Sequence, residues 1–289
     1  MMASQKQVPL PGTRPEGSRD EGEASARVRD MFTRIAPHYD FLNHLLSFSL
    51  DHLWRRRTAK RFAHILRRPD ARIFDLCCGT GDLALALARI RTQAVGGILA
   101  GQGFSSDKPK PARPRALAPE GSSTRFPILA GDFVVPMLVR ARAKANAAGR
   151  GVVFAAADAL RLPFPDATFD LVTTAFGFRN LANYEAGLRE FARVLKRGGE
   201  LGILEFTEPT AGPMAGLFRF YFKNILPRIG GVISGNAEAY KYLPGSVSKF
   251  PSPPELSVLI ETCGFRDVRV ASWNFSSVIL HSATNLGSR

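Results

Sequence analysis

Two short stretches hold residues whose types and spacing suit chemistry. The first is DLCCGTGD, Asp75 to Asp82: a hydrophobic run, two cysteines, a Gly-Thr-Gly turn and an aspartate. Gly79 and Gly81 let the backbone turn tightly and meet a ligand without a Cβ in the way. With Ala84 the spacing satisfies G-x-G-x-x-G/A, a pattern shared by many nucleotide-binding turns and weak on its own. Charge narrows the choice. A helix N-terminus welcomes a pyrophosphate, but Asp75 and Asp82 flank this turn and would repel one. The second stretch is FGFRN, Phe176 to Asn180, which sets an arginine and an amide at the mouth of a hydrophobic run.

Two carboxylates suit a ligand bearing an ammonium and a sulfonium, the charges of S-adenosylmethionine. Further acids stand where such a ligand needs them. Asp132 in LAGDF follows the second strand-like run, where a carboxylate binds ribose hydroxyls. It lies much farther from Gly81 than the usual ~20 residues, and the intervening insertion accounts for the excess. Asp158 in AADALRLPF is placed to reach an adenine amino group, with Ala159 flat against the ring. Thr80 in the turn joins the expected cofactor set. Each acid also has an ordinary reading: Asp82 as a first-turn helix residue, Asp132 as a cap, Asp158 as a loop acid.

The elements that must position these residues alternate. RIFDLCC, FPILAGDF, GVVFAAADA, FDLVTTAF and GELGILEFT read as strands, and GDLALALARI, PMLVRARAKANAAG, YEAGLREFARVLK and PPELSVLIETCGF as helices. Such alternation predicts a mostly parallel α/β sheet. DVRVASWNF and SSVILHSAT follow with no helix between them, so they should form an antiparallel hairpin at one edge. Residues 28–66 precede the first strand and read as a helical cap over the site, carrying Tyr39, Asp40 and Asn43. Residues 1–27 are rich in Pro, Gly, Ser and charge and read as a disordered leader, and 91–125 as a flexible insertion. The domain proper is 28–289.

The chain has 289 residues, 45% of them hydrophobic, so one sizeable core can form. Its formal charge of +14 implies an anionic partner without saying whether that is nucleic acid, a membrane surface or an acidic substrate. Lys108, Lys110, Arg113 and Arg115 could form a phosphate-binding arm, which keeps an RNA-binding or RNA-modifying protein open; no array of stacking aromatics supports it. An NAD-dependent enzyme built on the same glycine turn is a further alternative. Three cysteines without framework spacing argue for a reducing compartment and against a metal site. No export signal and no bilayer span are expected, because charges interrupt the most apolar stretch, 213–233.

FTRIAPHYDFLNHLLSFSLDHLWRR, DLCCGTGD, ADALRLPFPDATFD, FGFRN, RVLKRGG, LEFTEP and YKYLPGSVSKFP, in this order, resemble class I methyltransferases. More narrowly they resemble the ubiquinone/menaquinone biosynthesis C-methyltransferases, over roughly residues 28–283. Ser49 stands where that family usually has glycine, Arg197 where proline is common, and Ala175 where a serine can contact the cofactor; the resemblance keeps Ala175 in the cofactor-binding set through its backbone. The resemblance implies a Rossmann-like domain: a seven-stranded, mostly parallel sheet with an antiparallel edge hairpin and N-terminal capping helices. It implies S-adenosylmethionine as cofactor and a polyprenyl hydroquinone as substrate, with demethylmenaquinol favoured over the methoxybenzoquinol of the ubiquinone route. A polyprenyl tail lives in a bilayer, so a cytoplasmic protein touching the membrane peripherally is expected. A ring carbon becomes nucleophilic when a phenolic proton leaves, so the site must stabilise phenolate charge. Arg179 is assigned that role, with Asn180 orienting the same oxygen and Tyr39 bonding substrate or covering cofactor. Tyr240, Lys241 and Tyr242 would line the substrate wall.

Overall fold

A computed structural model describes residues 12, 13, 15, 17–37, 39–47, 49–100, 126–208, 216, 220, 224, 242 and 245–287. Seven strands form one sheet: β1 (Ile73–Leu76), β2 (Ile128–Asp132), β3 (Val152–Ala156), β4 (Phe169–Ala175), β5 (Leu195–Phe206), β6 (Phe265–Trp273) and β7 (Val278–Asn285). Their order is β3-β2-β1-β4-β5-β7-β6. The first five pair in parallel; β7 pairs antiparallel with β5 and β6, which completes the predicted edge hairpin.

Helices cover both faces, which is why the central strands read as unbroken apolar runs. Phe74 and Leu76 pack with Leu188 and Phe191 of α7 (Tyr184–Val194) and with Leu256 and Ile260 of α8 (Pro253–Thr262). On the other face Ile73 and Leu171 meet Leu83 and Leu87 of α5 (Asp82–Ala100) and Ala59 of α3 (Leu50–Arg61). Between β1 and β4 the strand order reverses, the place where ligands bind in such sheets. In register, Asp75 faces Thr173. The DLCCGTGD turn and FGFRN therefore leave neighbouring strands side by side.

Before the sheet come α1 (Glu21–Ile35), α2 (Tyr39–Leu46), α3 and α4 (Ala63–Leu66); α6 (Val135–Ala147) follows β2. Two predicted boundaries move. The leader does not reach residue 27, because α1 starts at Glu21. Asp20 caps it, its side chain accepting from the Glu23 amide, and Glu23 pairs with Arg19 and Arg27 one turn away on either side. Ala24, Val28 and Ile35 bury one face. Nor does the insertion begin at 91: α5 runs to Ala100, since TQAVGGILA continues a helix despite its two glycines. Residues 101–125 lie outside the described residues, with the phosphate-arm cations. So do Tyr240, Lys241 and most of 213–233.

Ser49 has φ 59°, in the left-handed region. A glycine adopts that conformation without penalty, which explains the residue usual there in the resembled family.

Candidate functional site

The glycine turn is held by its own acids. Gly79 and Gly81 have φ 54° and 85°, and a Cβ at Gly81 would press on Ala141 and Phe154 at 3.1 and 3.2 Å. Asp132, at the end of β2, accepts from the Gly79 amide at 2.8 Å and from the Val134 amide at 2.9 Å, so one carboxylate ties the turn to the start of α6. Burial pushes its pKa up to about 6. Asp75 is fully buried. Its Oδ1 accepts from the Thr173 hydroxyl at 2.8 Å, while Oδ2 meets no hydrogen-bond partner among the described residues. Burial raises this carboxyl to about 7. Burial likewise pushes the Cys77 and Cys78 thiols well above their ordinary range, leaving them protonated packing groups beside the turn.

Three cavities meet here. The first, about 670 Å³, is lined by Gly79, Asp132, Asp158, Ala159, Met137 and Asn180 among others. The second, about 620 Å³, is lined by Phe32, Phe176, Phe206, Arg55, Arg179 and Tyr242 among others. The third, about 300 Å³, lies between Asp75, Thr80, Asp82, Arg55 and Ala175. Tyr39 lines all three. Desolvation holds its hydroxyl above the ordinary phenol value, so it stays a donor at neutral pH. The sequence-predicted residues Asp75, Gly79, Thr80, Asp132, Asp158, Ala159 and Ala175 thus come together, with Gly81 supporting the turn from behind.

Asp82 differs from expectation. It is not free to receive a cation: Lys144 Nζ of α6 sits 2.5 Å from its Oδ1 and Arg55 3.9 Å from its Oδ2. Burial would raise Asp82, but these cations override it and hold it below the usual carboxylate range. Lys144 also pairs with Asp40 at 2.9 Å and donates to Thr80 Oγ1 at 3.2 Å, and the Thr80 hydroxyl bonds Asp40. Lys144 therefore latches the first turn of α2 onto the glycine turn. Nothing in the motifs pointed to it, because a lysine late in a helix reads as a solvated charge. Arg55 is clamped in turn by Asp51, which His44 and Ser47 also bond, so His44 is structural here.

FGFRN forms a 3-10 turn over Phe178–Asn180. Its two polar residues part. The Arg179 side chain lines the second cavity, whereas Asn180 lines the first and accepts from Tyr242 Oη at 3.0 Å. The expectation that both address one oxygen is corrected by this divergence. Arg179 is also not a lone cation. It is 5% exposed, paired with Glu205 Oε2 at 2.8 Å, and donates to the Phe176 carbonyl at 2.6 Å. Burial would lower its pKa, yet Glu205 holds it above the ordinary value. Its Nε has no hydrogen-bond partner among the described residues. Glu205 was missed, although an acid inside the apolar run GILEF is itself a signal: a buried carboxylate needs a partner. Trp54 packs edge-on against Phe176 and Phe206, which line the second cavity, and so backs that wall from outside.

The sheet order and a ligand pocket at the β1/β4 reversal define a class I methyltransferase fold. Solved methyltransferases share it: one from Thermotoga maritima described as SAM-dependent (TM-score 0.55, 15% identity, 89% of this chain and 99% of that one) and one from Aquifex aeolicus (TM-score 0.53, 17% identity, 84% and 96%). The chain belongs to the ubiE/COQ5 methyltransferase family, whose model matches residues 20–285. It is 44% identical over 251 residues to the demethylmenaquinone methyltransferase of Thermus thermophilus, covering 87% of this chain and 98% of that one. The corresponding protein of Deinococcus radiodurans is 43% identical over 253 residues, covering 87% and 89%. The ubiquinone/menaquinone biosynthesis C-methyltransferase of Geobacter sulfurreducens is 38% identical over 263 residues, covering 90% and 89%. The cofactor of this family and fold is S-adenosylmethionine. The site fits it: the third cavity offers an ammonium the unpartnered Asp75 oxygen, and the first offers two acids and small apolar walls for an adenosine.

Proposed function

We propose that the chain methylates a ring carbon of a reduced polyprenyl quinone precursor, with demethylmenaquinol as substrate. The observation that carries this is the second cavity. It is largely apolar, walled by Phe32, Phe176 and Phe206 with Arg55, Arg179 and Tyr242 on its polar side, and borders the cofactor cavities at Tyr39. When bound, S-adenosylmethionine supplies an electrophilic methyl on a cation. Asp75 would hold its ammonium, Asp132 its ribose hydroxyls and Asp158 its adenine amine, with Ala159 against the ring. Across the gap, Tyr39 donates to a developing phenolate, since its raised pKa keeps its proton in place. Arg179, neutralised by Glu205, contributes a directed N–H more than a net charge. An arginine that stays protonated does not take the phenolic proton, which leaves by water.

The tail has to come from a bilayer. Among the described residues no helix is long and apolar enough to cross a membrane. Peripheral contact is therefore part of the proposal, supported by Phe275, 73% exposed at the β6–β7 tip, and by the exposed Arg56, Arg57 and Lys60 on α3. Trp54 Nε1 donates to Asn274 Oδ1 at 3.2 Å and its ring packs on Phe176 and Phe206, so this tip is tied to the aromatic cluster that backs the second cavity.

The test is turnover by purified protein with S-adenosylmethionine and a short-tailed demethylmenaquinone, either reduced or left oxidised. Methylation only of the reduced form is expected. Equal rates with both forms, or none with either, would refute the reading; a benzoquinol arm decides the ring.

A further inference from the structure

We propose that Gly12 and Thr13 form a strap that positions the FGFRN loop, with Thr13 as a positioning residue for the wall shared by the cofactor and substrate cavities. This rests on the reading above that the loop borders the methyl-transfer site. Both residues lie outside the span matched by the family, which starts at residue 20, and both fall in the segment whose composition reads as a free leader.

The contacts are specific. The Thr13 amide donates to the Leu181 carbonyl at 2.8 Å. Its hydroxyl bonds the Arg179 carbonyl and lies 2.8 Å from Tyr184 Oη, which reaches the same carbonyl at 3.0 Å. Gly12 lies against the backbone of Ala182 and Asn183 so closely that a Cβ would collide with both. Only glycine fits there without lifting the strap. A second tie follows at the start of α1, where Asn183 Nδ2 donates to Glu21 at 3.0 Å.

The loop needs such support. A three-residue 3-10 turn has few hydrogen bonds of its own and poor geometry in those it has. Yet its two sides face different ligands: Arg179 lines the second cavity, and Asn180, Leu181 and Ala182 line the first. A strap fixed to the carbonyls of Arg179 and Leu181 sets the backbone from which both sides project. Its loss would leave the sheet intact and let the loop drift, and a small drift at a reacting centre costs rate.

The experiment compares wild type, Thr13→Val, Thr13→Ser and Gly12→Val by amide hydrogen exchange and by steady-state kinetics. In the two valine variants, exchange at 179–182 is expected to rise about tenfold or more while the central strands keep wild-type protection. Their kcat should fall about tenfold, and Thr13→Ser should match wild type in both readouts. Unchanged loop exchange in both valine variants would overturn the strap. Faster loop exchange with unchanged kcat, or loss of protection across the whole sheet, would overturn the positioning role. Loop exchange is read without any ligand, so it stands or falls apart from the methyl-transfer reading, which fails if wild type does not bind S-adenosylmethionine.

Discussion

At the residue scale, an Asp75 that holds the cofactor's ammonium, as proposed, would couple cofactor binding to protons. A buried carboxylate, with one oxygen unpartnered among the described residues, keeps its proton until a cation arrives. Its pKa rises from 3.8 to about 7 on folding. The unfolded chain sheds this proton from about pH 4 upward, while the folded chain holds it to about 7. The folded state thus binds more protons in that window, and the stability this group contributes below pH 4 is lost as pH rises towards 7. A bound ammonium reverses the preference. Cofactor affinity should therefore climb between about pH 5.5 and 7.5, by up to about tenfold per unit, with proton release on binding. Calorimetry in buffers of different ionisation heat reads the released proton, and Asp75→Asn should abolish both the slope and most of the affinity. Arg179 poses a different question, because its removal strands Glu205 in the core. Arg179→Ala should lose about 3–5 kcal/mol of stability besides its rate, whereas Glu205→Gln keeps a polar partner and should lose less, as denaturant melts would show. Ser49→Gly should gain about 0.5–1 kcal/mol in the same melts, by relieving a left-handed serine.

At the element scale, the latch through Lys144 decides how the cap sits. One ammonium joins Asp40 on α2 to Thr80 and Asp82 at the glycine turn, and Tyr39, next to Asp40, stands where the three cavities meet. Lys144→Met removes the charge while keeping the stem. It should weaken cofactor binding about tenfold with small change in melting temperature, and make what affinity remains less sensitive to salt. Titration at low and high ionic strength checks it. This latch also shows where the sequence stopped being legible. The strand–helix alternation reported the sheet faithfully, because each element's apolar period reflects its own burial. The acids after β1, β2 and β3 and the residues after β4 were readable because a strand's carboxyl end fixes where the next few residues emerge. Lys144, Arg55 and Glu205 were not, since each acts through a partner far along the chain that periodicity does not encode. The strap was hidden for another reason: composition averages over a segment, and one glycine and one threonine do not change the average.

At the scale of the whole molecule, charge and apolar exposure fall together behind the second cavity. The net +14 would attract any anionic surface, so attraction alone identifies no partner. Location does more. On α3, Leu53, Arg56, Arg57 and Lys60 recur at helical spacing on one exposed face, while Trp54 behind them packs on Phe176 and Phe206, which line the second cavity. Arg57 stacks over Trp273 at 5.9 Å, and the adjoining tip carries Phe275 between two other residues of positive φ, Asn274 and Ser276. Three successive left-handed residues hold an aromatic ring outward at a conformational cost that burial of the ring in lipid would offset. A lipid surface seated there would bring a polyprenyl tail to the cavity without a membrane span. Sedimentation with vesicles containing phosphatidylglycerol should pull the protein down, pure phosphatidylcholine should not, and ~0.5 M salt should release most of it. Phe275→Ser should weaken the binding severalfold while leaving turnover of a water-soluble, short-tailed substrate unchanged. If that variant binds vesicles as wild type does, the charge acts alone and the tip has no part in delivering the tail.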